Sequence, residues 1–161
     1  MRYALVYGLL SGTVIIAVIL SGILLAPDSP IFSSVWFGYL VMFVAMTFIF
    51  VGVRRYRDVE KGGVIRFLPA LGMGLAIALV AVLAYVAIWE IYLAATNYAF
   101  IDRYFSGTDP ASRAWHAWYS NPLNRAGTTA LELLPVGAVV ALVSAGLLRN
   151  PRLLPARREI N

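Results

Sequence analysis

The chain has 161 residues, of which 61% are hydrophobic and 13% charged, no Cys, and a formal charge of +5. Soluble domains contain about 45–50% apolar and about 25% charged residues, so this composition excludes an ordinary soluble domain and implies lipid as the solvent. Without Cys there is neither a disulfide framework nor a thiolate metal site, and the basic residues stand at the ends of apolar segments, which suits anionic lipid headgroups rather than nucleic acid.

Four apolar stretches are long enough to cross a hydrocarbon core of about 30 Å, which takes roughly 20 helical residues. The first runs from about Tyr3 to Leu25 and stops at Ala26-Pro27-Asp28-Ser29-Pro30. It has only Arg2 upstream and no A-x-A pattern before Asp28, so it is expected to be an uncleaved helix rather than a signal peptide. The second runs from about Val35 to Val53 and ends in Arg54, Arg55 and Arg57, expected to anchor in lipid headgroups. Gly62-Gly63 then suits a turn before the third stretch, about Phe67 to Ala94. The fourth covers about Ala126 to Leu148 and is closed by Arg149, Asn150 and Pro151. These runs do not alternate as barrel strands do, and helices satisfy their own backbone groups in lipid. The expectation is an all-α membrane protein, a single four-span bundle over residues 1–161.

The longest segment between spans runs from about Ala95 to Arg125. In it Asp109 can cap a helix that begins with Pro110, a favoured first residue. Trp115, Trp118 and Tyr119 then share one side of that helix, at i, i+3 and i+4. Trp and Tyr prefer headgroup level, so a short interfacial helix ending near Asn121-Pro122 is expected. His116 is the only histidine; it matches no metal motif, and no metal or cofactor is expected.

Arg2, Arg54, Arg55, Arg57, Lys61, Arg66, Arg149, Arg152, Arg157 and Arg158 would lie at one side of the membrane, ten of the thirteen Lys and Arg residues. Arg103, Arg113 and Arg125 would lie at the other. Such asymmetry predicts that both termini are cytoplasmic.

Two acidic residues interrupt the spans, Glu90 in the third and Glu132 in the fourth. Each costs about 2.5–3.5 kcal/mol at a span's centre on insertion scales. Measured from the expected span ends they share one depth, where two carboxylates can hold a proton or a cation. Pro135 would free the carbonyl of Leu131 beside Glu132, while Thr128, Thr129 and Arg125 would add polar groups nearby. The competing reading is structural: Glu132 paired with Arg125 or Arg103, and Glu90 hydrogen-bonded to Tyr or Thr. Gly8 and Gly12, Ala70, Gly74 and Ala78, and Gly137 and Ala141 recur at spacing four, a pattern that lets helices approach closely.

The segments GYLVMFVAMTFIFVGVRRYRDVEKGGVIRFLPALGMG, WEIYLAATNYAFIDRY and NPLNRAGTTALELLPVGAVVALVSAGLLRNP resemble the bacterial membrane family known as domain of unknown function 4199. The last includes an E-x-x-P-V-G element at Glu132, Pro135, Val136 and Gly137. The resemblance implies a four-helix protein of the bacterial inner membrane and brings no activity or catalytic residue with it. No nucleophile or nucleotide motif appears, so the expected function is non-enzymatic: an interaction or accessory protein, in a homo-oligomer or with a membrane-protein partner. The alternative is a small proton- or cation-coupled transporter using Glu90 and Glu132.

Overall fold

The computed structural model of the chain describes residues 1–26, 29–31, 34–152 and 154–155. Asp28, Arg157 and Arg158, assigned above to a loop and a tail, lie outside those residues. Among the described residues the chain is entirely helical: α1 (Arg2–Leu25), α2 (Val35–Glu60), α3 (Phe67–Ala95), α4 (Ala99–Tyr104), α5 (Pro110–Ser120) and α6 (Pro122–Leu148). Helices α1, α2, α3 and α6 are long and apolar enough to span a membrane. No more than 39% of the residues in any of their apolar stretches are buried within the protein. The remaining apolar surface points outward, which is the arrangement lipid requires and water penalises.

Two helices outrun their apolar stretches. Helix α2 continues past Val53 through the basic run to Glu60, because nothing before Gly62 breaks it and arginine is a good helix former. Its Arg57 also lies in the last turn, where a cation complements the helix dipole. Gly62 and Gly63, with φ of 62° and 88°, then reverse the chain where a side chain would be strained. Helix α6 starts at Pro122, capped by the Asn121 side chain, which accepts from the Leu123 N–H at 2.9 Å. It continues through Pro135 to Leu148.

The small residues decide how the spans meet. On α1, a Cβ at Gly8 would lie 2.5 Å from Val80 Cβ and 2.8 Å from the Ile77 carbonyl oxygen, and one at Gly12 would press on the Ala81 carbonyl. The backbones of α1 and α3 therefore touch. On the other side of α3, a Cβ at Gly74 would lie 2.8 Å from Ala141 Cβ, and one at Gly137 would lie 2.8 Å from Ala78 Cβ. The two ridges interlock reciprocally. Helices α1 and α6 each pack on both α2 and α3, and the Ser11 hydroxyl donates to the Ala45 carbonyl at 2.9 Å, joining α1 to α2. Ile15, Met46, Ile49, Ile77 and Leu133 fill the space between, each fully buried.

Replacing Gly12 by Leu is expected to destabilise the bundle by about 2–3 kcal/mol, because the obstacle is backbone and α1 must move away. Gly72, which has nothing within 4 Å of its Cβ position, is expected to tolerate Ala without loss. Thermal unfolding of both variants in one detergent checks the contrast; equal stability would show that the α1–α3 contact is loose.

Candidate functional site

Outside the apolar core, a group of polar side chains lies where the end of α3 meets the start of α6. Arg125 stands in the first turn of α6 with no exposed side-chain surface. Its Nε donates to Glu90 Oε1 at 2.7 Å and its Nη2 to Oε2 at 2.5 Å, a two-pronged pair that suits the planar guanidinium. Its Nη1 donates to the Tyr119 carbonyl at 2.6 Å, reaching back to α5. The guanidinium carbon also lies 5.5 Å from the ring centroid of Tyr98. Asn97 and Tyr98 occupy left-handed backbone conformations, φ 49° and 59°, which turn the chain sharply from α3 into α4. One buried cation thus ties α3, the turn after it, α5 and α6 together.

This overturns the shared carboxylate site. Glu90 is engaged by Arg125 instead of facing Glu132. The depths differ because α6 begins four residues earlier than the apolar run suggests. Glu90 lies five residues from the end of α3 and Glu132 ten residues into α6, about 7 Å and about 15 Å along their axes. The alternative pairings with Tyr or Thr for Glu90 and with Arg125 or Arg103 for Glu132 are corrected at the same time. Glu132 is exposed and makes no hydrogen bond or ion pair with another described residue. It does lie close enough to the phenols of Tyr85 and Tyr119 to act on them electrostatically.

Helix α5 begins as its sequence predicts. Asp109 accepts from the N–H groups of Ala111 and Ser112, each at 3.0 Å, and from the Ser112 hydroxyl. The Ser112 hydrogen bonds hold its carboxyl below the usual range. Trp115 and Trp118 are about half exposed, at 54% and 51%, and α5 lies against α6. Trp118 Nε1 donates to Thr128 Oγ1 at 3.3 Å, and Thr128 in turn donates to the Asn124 carbonyl at 2.9 Å. Thr129 is buried close to the Tyr119 side chain. The two threonines therefore hold α5 in place. Tyr119, expected at headgroup level, is half-buried against Phe105 with ring centroids 5.4 Å apart. Burial first, and the Glu132 charge second, push its phenol up. Ring contacts continue from Phe105 through Tyr104 and Phe100 to Trp89, so α4, which has no capping side chain to announce it, closes this end with an aromatic layer. His116 Nε2 lies 3.0 Å from Asp102 Oδ1 and joins α5 to α4.

At the opposite end the three arginines after Val53 divide. Arg55 is exposed, and Arg54 lies 3.6 Å from Asp58. Arg57 is not a headgroup anchor: its side chain is fully buried, with Nε donating to Asp58 Oδ1 at 2.6 Å and Nη2 to the Leu154 carbonyl at 2.7 Å. The helical phase of α2 turns it inward between the half-buried Tyr56 and Asp58, and the chain after α6 supplies an acceptor that no local pattern foretells.

The family model described as "Protein of unknown function (DUF4199)" matches residues 6–150, and the chain belongs to that family. No match was found among curated proteins or among solved structures.

Glu90→Leu leaves a fully buried guanidinium without its counter-charge and is expected to cost about 2–4 kcal/mol, less than a wholly buried pair because Glu90 is partly exposed. Glu90→Leu combined with Arg125→Met removes both charges and is expected to recover part of that loss. Thermal unfolding of the single and double variants measures this; a double variant that is less stable than the single one contradicts a pairing role.

Proposed function

We propose that the protein is a non-enzymatic interaction or accessory subunit of the bacterial inner membrane, acting through contacts between helices within the bilayer. The observation that carries this reading is the state of Glu132. It is exposed about 15 Å into an apolar helix and has no hydrogen bond or ion pair with another described residue. Pro135, Val139, Leu142 and Gly146 follow it at spacings of three and four, all exposed, so they form one continuous outward stripe on α6. A carboxylate facing hydrocarbon is costly, and a neighbouring helix that offers a hydroxyl, amide or cationic donor removes that cost. The small-residue ridges are used inside the bundle, so Glu132 is the feature left to specify an external helix, whether from a second copy or from another membrane protein.

A second reading has one observation in its favour. Glu132 lies near the phenols of Tyr85 and Tyr119, groups able to pass a proton to or from a carboxylate. In that reading the protein is a small proton- or cation-coupled transporter, with Glu132 as the coupling group and Glu90 confined to holding Arg125.

Purification in mild detergent separates the two. The wild type is expected as an oligomer or with a stoichiometric membrane partner. Glu132→Leu is expected to weaken that association about tenfold, and Glu132→Gln, which keeps hydrogen-bonding capacity, much less. A monomeric wild type whose pH-dependent cation flux in liposomes is abolished by Glu132→Gln would establish the transporter instead.

The orientation we infer has both termini in the cytoplasm, on the charge asymmetry that leaves Arg103, Arg113 and Arg125 alone at the other end. Reporter fusions after Gly62 are expected to read cytoplasmic and fusions within residues 106–120 to read outside; the opposite pattern reverses the protein in the membrane.

A further inference from the structure

At the end of the bundle where α1 begins and α2 finishes, a cleft of about 290 Å³ opens between the two helices. Arg2, Tyr3, Val6 and Tyr7 line it from α1, and Arg55 and Val59 from α2. Its two arginines differ from those beside them. Arg54 and Arg57 both use Asp58, whereas neither Arg2 nor Arg55 makes an ion pair or a side-chain hydrogen bond with a described residue. Two guanidinium groups sharing one cleft with no counter-charge from a described residue repel each other, and an anion between them reverses the sign of that interaction. The cleft is also shaped in advance. Arg2 lies over the Tyr3 ring, 5.4 Å from its centroid, and Tyr3 is buried with its ring 5.9 Å from that of Tyr56. Tyr7 is buried against Gly52, where the missing Cβ lets α1 and α2 close.

We propose that this cleft is a binding site for the phosphate headgroup of an anionic phospholipid in the leaflet at the basic end of the bundle, with Arg2 and Arg55 clasping the phosphate. A lipid fits better than free phosphate because the walls are apolar. Val6 and Val59 are 48% and 62% exposed, and Leu5 and Leu9 beside Val6 on α1 are exposed as well, so the cleft continues onto surface suited to a glycerol backbone and acyl chains. Arginine is the side chain best matched to a phosphate, which it can grip through two N–H groups, and a basic recess between spans at the headgroup level is where such lipids are retained.

Native mass spectrometry of the purified protein in detergent doped with phosphatidylglycerol tests the site. One tightly held lipid per chain is expected, with phosphatidylcholine and millimolar inorganic phosphate failing to displace it. Arg2→Gln with Arg55→Gln is expected to weaken phosphatidylglycerol about 10- to 30-fold, as for the loss of two basic residues at a headgroup. The charge-matched control, Arg66→Gln with Arg149→Gln, removes two cations from the same end outside the cleft and is expected to leave binding unchanged. Val59→Trp keeps every charge and fills the cleft; it is expected to abolish the tightly held lipid, and it decides the matter if the double arginine variant unfolds. Equal weakening in the control would reduce the effect to diffuse charge and overturn the proposal, as would full binding by Val59→Trp. Displacement of the lipid by inorganic phosphate at wild-type affinity would assign the cleft to free phosphate and reject the lipid.

Discussion

The backbone of α3 lies in contact with the backbones of its neighbours, and the remaining features of the bundle follow from that. In hydrocarbon there is no hydrophobic drive to bring apolar helices together, so association depends on close van der Waals contact and on the few polar links available. Gly8 and Gly12 bring α1 onto α3, and Gly74 with Gly137 lets α3 and α6 interlock through Ala78 and Ala141. With α3 so placed, α2 is held against both flanking helices, and the Ser11 hydroxyl reaches the Ala45 carbonyl across the narrow α1–α2 gap.

Each end of this frame is closed by a fully buried arginine. Arg125 joins a carboxylate on α3 to a backbone carbonyl on α5, and Arg57 joins Asp58 to the carbonyl of Leu154 beyond α6. Buried guanidinium groups add little net stability when their desolvation is counted. They are demanding about geometry, however, because an unmatched N–H in a dry place is costly, and Arg57 bears part of that cost, its Nη1 being buried without a hydrogen-bond partner among the described residues. Their effect is to set which segments fold over the ends of the bundle. At one end the result is the aromatic layer of α4 and α5, and at the other the chain after α6 is drawn back over the last turn of α2.

Against this frame the two spanning glutamates have different standing. Glu90 is consumed by an internal pair and its partner is part of the scaffold. Glu132 is exposed, and no other described residue uses its hydrogen-bonding capacity. The difference arises from helical phase and from where α6 begins, and it separates a residue whose loss weakens the fold from one whose loss is felt by whatever lies outside it.

The four spans, the all-helical class, the capped helix at Asp109-Pro110 and the ridges of small residues were legible from residues alone, because each is set by local chemistry: run length against the thickness of a bilayer, a side chain that accepts from the first turn, a spacing of four. The ends of α2 and α6 were less so, since arginine and asparagine are at home in a helix and in a loop, and apolarity marks the membrane rather than the helix. Helix α4 carried no signal, being six residues held by the Phe100 ring against Trp89 of α3 and, just past its end, by Phe105 against Tyr119 of α5. The pairing of Arg125 with Glu90, the inward turn of Arg57 and the solitary position of Glu132 were decided only in three dimensions. A charge in sequence has several partners within reach of its neighbours, and the choice among them depends on rotation about a helix axis, where each residue advances the direction of its side chain by about 100°. That rotation is set by packing between helices distant in sequence, which no local pattern records.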